Sequence, residues 1–237
     1  MVGYLNRDGR ASRNFYTPCF DKVDGGDITI QDIQLSDDVE DMGADLQVLD
    51  ANRKCIGSAY QWLTPAMAGK DGFNLGLPEG MGAWINDDYA LPDIDPLQFG
   101  QVVQVTLPSK DSGFKSNGQV CDDDALITGR KSRNFVGNPY PVAMPIHNIQ
   151  CNAEVEDMGA DLQILDANRK CIGSAYQWLT PAMAGKDGFN FGLPEGMGAW
   201  INDDYALPEI DPLQPGEGAQ VTLPSVGTIK VICPIEL

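Results

Sequence analysis

In Asp45-Leu46-Gln47-Val48-Leu49-Asp50 polar and apolar positions alternate as far as Val48, and a second β run, Cys55 to Leu63, follows the polar stretch Ala51-Asn52-Arg53-Lys54. Alternation with period two marks a half-buried strand, and two such runs about a short polar turn predict a β-hairpin. In the second run Ile56, Ser58, Tyr60 and Trp62 share one face, while Cys55, Gly57, Ala59 and Gln61 share the other. The large face suits a packed core. Thr64-Pro65 can open a single helical turn as N-cap and first residue, Gly69 can close it, and nothing longer reads as helical. A short strand follows at Phe73 after Asp71-Gly72. Gly76 to Gly82 then carry the chain round to Ala83-Trp84-Ile85, where Asn86-Asp87-Asp88 turn it again. Leu91-Pro92-Asp93-Ile94-Asp95-Pro96 is too proline-bound for a central strand and reads as an edge loop. Val102 to Leu107 is a strong β run, matched by Gln220 to Leu223 after a turn at Pro215-Gly216-Glu217-Gly218.

The pattern occurs twice. Residues 39–98 return at 155–214 with three changes in sixty positions: Val48 to Ile164, Leu75 to Phe191 and Asp93 to Glu209. Upstream, Arg10-Ala11-Ser12-Arg13-Asn14-Phe15 returns as Arg130-Lys131-Ser132-Arg133-Asn134-Phe135, at an offset of 120 where the block has 116. Between these anchors the copies diverge. The first has Asp27 to Ile33, read as a strand after Gly25-Gly26; the second has Asn138-Pro139-Tyr140-Pro141 and Pro145, an extended backbone poor in donors. Lys110 to Asp124, rich in Ser, Gly, Asn and Asp, reads as the junction between copies, and Thr228 to Cys233 as a closing strand. The expected fold is therefore all-β. Two homologous antiparallel β-sandwich or barrel modules, at 1–118 and 119–237, would pack as a pseudo-twofold pair with only short helical turns.

Composition refines this reading. With 43% hydrophobic and 21% charged residues the chain is expected to be ordered nearly throughout. A formal charge of −18 repels nucleic acid and anionic membranes, and makes cations the natural counter-partners. No apolar run is long enough to span a membrane. Met1-Val2-Gly3-Tyr4 lacks the features of a signal peptide, so the expectation is either a cytosolic chain or one whose leader was removed and Met1 added for expression. The six cysteines divide as three per copy, Cys19, Cys55 and Cys121 against Cys151, Cys171 and Cys233. Full oxidation would then need a bridge between copies, with fifteen connectivities open. Six buried thiols are the alternative. No Cys-x-x-Cys is present and His147 is the sole histidine, which leaves little support for a zinc or redox centre.

Several segments together resemble secreted, internally duplicated β-rich proteins of gut-associated bacteria. They are Gly3-Tyr4, Asn134-Phe135-Val136-Gly137-Asn138-Pro139, the Ile-x-x-Ile-Gln run ending at Gln150, Leu46-Gln47-Val48-Leu49-Asp50, Tyr60-Gln61-Trp62-Leu63-Thr64 and Pro215-Gly216-Glu217-Gly218. The likeness covers most of the chain. It implies export through a cleaved leader, an extracellular or cell-surface location and a duplicated β-rich fold, and it names no activity. The first copy departs from it, with Tyr16-Thr17-Pro18 for Val-Gly-Asn-Pro and Phe99-Gly100 for Pro-Gly-Glu-Gly.

Candidate chemistry is sparse. A Ser-His-Asp arrangement could involve only His147 and has no Gly-x-Ser-x-Gly signature, while the many carboxylates read as a solvated surface and not as a glycosidase pair. Gly76 to Gly82 and Gly192 to Gly198 lack the Lys-Ser/Thr ending of a phosphate loop, so their glycines are expected to serve turns of positive φ. Calcium is the one cofactor the sequence admits, through turn oxygens of Asp50, Asn52, Asp87 and Asp88, repeated as Asp166, Asn168, Asp203 and Asp204. Tyr89 and Trp84, repeated as Tyr205 and Trp200, are candidate ligand-stacking rings, whereas Tyr60 and Trp62 read as core. The expectation is a non-enzymatic secreted or cell-surface structural or adhesive protein, acting by self-association or on a surface glycan or protein. A carbohydrate-binding module pair, calcium-stabilised, is the alternative.

Overall fold

A computed structural model describes residues 2–9, 11–19, 26–48, 59–70, 73, 75–109, 111–121, 123–164, 174–186 and 188–235. The first half contributes β1 (Val2–Asp8), β2 (Ser12–Tyr16), β3 (Gln34–Leu35), β4 (Asp45–Val48), β5 (Tyr60–Leu63), β6 (Ala83–Ile85), β7 (Val103–Leu107) and β8 (Gly113–Gln119). They form a three-stranded sheet, β1-β8-β3, and a five-stranded sheet, β2-β7-β4-β5-β6. The second half repeats this with β9 (Ala125–Gly129), β10 (Ser132–Gly137), β11 (Ile149–Cys151), β12 (Asp161–Ile164), β13 (Tyr176–Leu179), β14 (Ala199–Ile201), β15 (Gly218–Leu223) and β16 (Gly227–Val231). Its sheets run β11-β16-β9 and β10-β15-β12-β13-β14. The chain is all-β, its ladders are antiparallel, and no sheet is closed among the described residues.

The hairpin strands pair as the alternation predicts, Asp45 opposite Gln61 and Leu46 opposite Tyr60, although the polar stretch 51–54 lies outside the described residues. Tyr60 and Trp62 are buried in a core that also takes Tyr16, Val105 and Phe114. Leu63, Ala83 and Ile85 point to the opposite face of the same strands. There α1 (Pro65–Ala68) and the half-buried Met67, Phe73, Leu75 and Leu77 cover them. Thr64 caps this turn, its side chain accepting the Met67 N–H, and Gly69 ends it; α2 (Pro181–Ala184) repeats the turn.

Three sequence expectations need correction. Gly113–Gln119, inside the presumed junction, is the central strand of a sheet, because pairing with β1 and β3 and burial of Phe114 override a loop-like composition. Ile30–Asp32 is one 3-10 turn and not part of a strand; the Asp32 carboxylate accepts the Thr29 N–H at 2.6 Å and so holds the chain in a capping box. Phe73 lies outside any strand and serves as a cover for the sheet.

Between the halves, Phe15 and Phe135 stack on each other with centroids 5.6 Å apart and Val102 beside them. The Gly137 N–H donates to the Gly100 carbonyl at 3.0 Å, and the Thr17 N–H to the Gly216 carbonyl at 3.3 Å. Gly137 stands to Thr17 as Phe135 stands to Phe15, and Gly216 stands to Gly100 at the block's offset, so the contact is reciprocal in the manner of an isologous interface. Phe99 of the first half also reaches Tyr140 of the second, edge to face at 5.8 Å. Replacing both Phe15 and Phe135 by Ala is expected to cost about 1 kcal/mol of ring pairing beyond the lost area. Calorimetry should then resolve two unfolding transitions where the unaltered chain should give one.

Candidate functional site

β6 and β14 are the outer strands of their sheets, and the open side of each is filled by side chains. The Trp84 N–H donates to Gln31 Oε1 and the Trp84 carbonyl accepts from Gln31 Nε2, both at 2.8 Å. Gln34 treats Gly82 likewise, at 2.8 and 3.1 Å. Two amide side chains thus stand in for a neighbouring strand and blunt the edge against pairing. In the second half Gln150 binds Gly198 in the same way, but His147 occupies the place of Gln31. Its Nδ1 accepts the Trp200 N–H at 3.2 Å, which requires a neutral ring, and burial pushes its pKa down to about 4. The only histidine is therefore a structural cap.

Each edge strand runs straight into a tight turn. Asn86 N–H donates to the Ala90 carbonyl, the Tyr89 N–H donates to the Asn86 carbonyl, and Asn86 Oδ1 accepts the N–H of Asp88 and of Ala90, each at 3.0 Å. Asn202 organises Asp204, Tyr205 and Ala206 identically. This closure forces Tyr89 and Tyr205 into the left-handed region, φ 58° in both, and leaves each 57% exposed. Tyr89 meets Phe73 edge-on at 6.0 Å, and Tyr205 meets Phe189 at 6.4 Å. Phe191, which replaces Leu75, adds a ring 6.1 Å from Phe189, so one of the block's three substitutions enlarges the aromatic group beside Tyr205.

Tyr89 and Tyr205 are thus exposed. Trp84 and Trp200 are not: both are 0% exposed, their indole N–H groups donate to the carbonyls of Ile33 and Ile149, and each leans on the neighbouring tryptophan of β5 or β13. They are core residues and cannot stack on a ligand. Asp87, Asp88, Asp203 and Asp204 are exposed in the turns, whereas Asp50, Asn52, Asp166 and Asn168 lie outside the described residues. Among the described residues no three His, Cys, Asp or Glu side chains gather as a metal site. Gly76, Gly80, Gly192 and Gly196 take positive φ, as loop glycines should.

The alternation missed Phe73, Phe189 and the edge-capping side chains. A signal for the caps was present, since Gln31 and Gln34 align with His147 and Gln150 at the block's own offset of 116. No family profile matches the chain, and no curated protein or solved structure matches it either.

Proposed function

We propose that the chain is a non-catalytic protein of the cell exterior or surface with a structural, adhesive role. Its two modules, each read as a two-sheet β-sandwich, display the same aromatic turn to one kind of partner. The outward tyrosine carries the reading. A bulky residue at positive φ costs about 1 kcal/mol, and Gly or Asn would serve folding better at that position. The ring nevertheless recurs, at the same angle and exposure, in both halves. Two equal contacts on one chain give avidity without high single-site affinity. In support of a sandwich, Tyr16 and Phe114, from different sheets, stack at 4.2 Å. In support of a non-catalytic role, His147 spends its Nδ1 on a backbone amide.

A carbohydrate-binding pair is the second reading, favoured by the exposed Tyr89 ring in the same turn as the exposed Asp87 and Asp88. The Tyr89→Asn, Tyr205→Asn double variant separates display from folding. In urea titrations it should be as stable as the unaltered chain or more stable, by up to about 1 kcal/mol. It should lose whatever the unaltered chain does in two assays: assembly, followed by light scattering during gel filtration, and retention on immobilised glycans. Assembly lost in the variant supports adhesion; glycan retention lost in the variant supports the second reading. A strict monomer that ignores the glycans removes both. Melting with calcium against chelator tests the ion separately, and an unchanged midpoint removes it.

A further inference from the structure

The strands reassign the cysteines. Cys121 lies just before β9 and belongs with the second half, which therefore holds four of the six, while Cys19 and Cys55 remain in the first. An even number in each half lifts the need for a bridge between them.

β9 and β16 pair over five residues and end at Ala125 opposite Val231, whereas the equivalent β1 and β8 pair over seven. Cys121 and Cys233 flank the end of the shorter ladder. Three contacts hold their segments together there. The Tyr140 hydroxyl lies 3.0 Å from the Asp123 carbonyl and 2.9 Å from the Val231 carbonyl, two residues from each cysteine. The Cys233 N–H donates to Asp124 Oδ1 at 2.9 Å, and Lys230 pairs with Asp124 Oδ2 at 2.6 Å. The Cys233 sulfur itself sits 3.8 Å from the Cys121 carbonyl oxygen. Both cysteines are half-buried, unlike Cys19, which is fully buried. Burial pushes the Cys151 thiol up to about 12, so it stays protonated and unreactive.

We propose that Cys121 and Cys233 are a redox modification site that closes as a disulfide and ties the C-terminal segment to the start of the second half. The oxidant is a low-molecular-weight disulfide, R–S–S–R. One cysteine thiolate attacks it, forming a mixed disulfide and releasing the first R–S⁻. The second cysteine thiolate attacks the protein sulfur of that mixed disulfide and releases the second R–S⁻. Two cysteine thiols are oxidised, one R–S–S–R is reduced, and the two thiol protons end on two R–SH. The bridge would span 112 residues of chain, a long loop of the kind whose closure most restricts the unfolded state.

The test is incubation of the full chain with oxidised glutathione, followed by thiol titration, peptide mapping without reductant and thermal melting. Two thiols should be lost, a Cys121–Cys233 peptide should appear, and the midpoint should rise by roughly 10 °C, a gain abolished by reductant. Cys121→Ser and Cys233→Ser should each fold and prevent both the link and the gain. No loss of thiols, glutathione adducts without an internal link, or a different cysteine pair would overturn the assignment.

Discussion

Acidification from pH 6.5 to 4 is expected to destabilise the second half selectively, by about 3 kcal/mol at the lower end. The unfolded chain takes up a proton on His147 near its ordinary value of 6.5, whereas the folded chain resists until about 4. Between those values the unfolded state binds more protons, so stability is full above 6.5 and falls as the pH drops. Protonation also removes the acceptor that Nδ1 offers to the Trp200 N–H. The carboxylate of Asp124 acts in a different window. Burial raises its pKa, but Lys230 and the Cys233 N–H outweigh that and leave it lowered, so its contribution is lost only below about 3.8. His147→Gln installs the residue that serves Trp84, with a donor for the Trp200 carbonyl as well. Urea titrations across this range should therefore flatten for His147→Gln, and Gln31→His should bring acid sensitivity into the first half. A slope unaffected by His147→Gln would place the effect elsewhere.

Gly82→Ala should cost about 3 kcal/mol. A methyl group at residue 82 would land on the Trp62 ring and 2.7 Å from the Leu63 carbonyl oxygen. Trp62 is buried against Trp84, so neither the ring nor the backbone can give way. Gly198→Ala meets Trp178 and the Leu179 carbonyl in the same way. Gly76→Ala is the control. Nothing lies within 4 Å of its added carbon, and only its positive φ opposes the change, at a cost of about 1 kcal/mol. Chemical denaturation of the three variants checks the order, and equal losses would show that backbone angle and not ring packing governs Gly82.

What could be read from the chain was local. The β4–β5 pairing, the Thr64 cap and the Gly69 stop depend on neighbours a few residues away, and the pattern there was sufficient. β8 was hidden because its partners, Val2–Asp8 and Gln34–Leu35, lie far off in sequence and its own residues resemble a linker. Trp84 was misplaced because alternation gives the side of a strand but not its depth; an aromatic next to a charged turn can be fully covered. Tyr89 could be placed because the turn residues around it have few apolar neighbours to bury it. Gln31, Gln34 and His147 act as a missing strand through side chains alone, and such substitution leaves no periodic trace.

The stacked Phe15 and Phe135, with their reciprocal amide contacts, give each half a face complementary to its counterpart. Joined in one polypeptide, the faces meet at an effective concentration on the order of millimolar, set by the short connection between them. Severed after residue 119, the same faces would have to find each other by diffusion. A lone half would carry an uncovered phenylalanine whose best available mate is the matching ring of another lone half. Continuity of the chain thus supplies what an oligomer obtains from abundance, and a fragment's behaviour would depend on its concentration where the parent's would not.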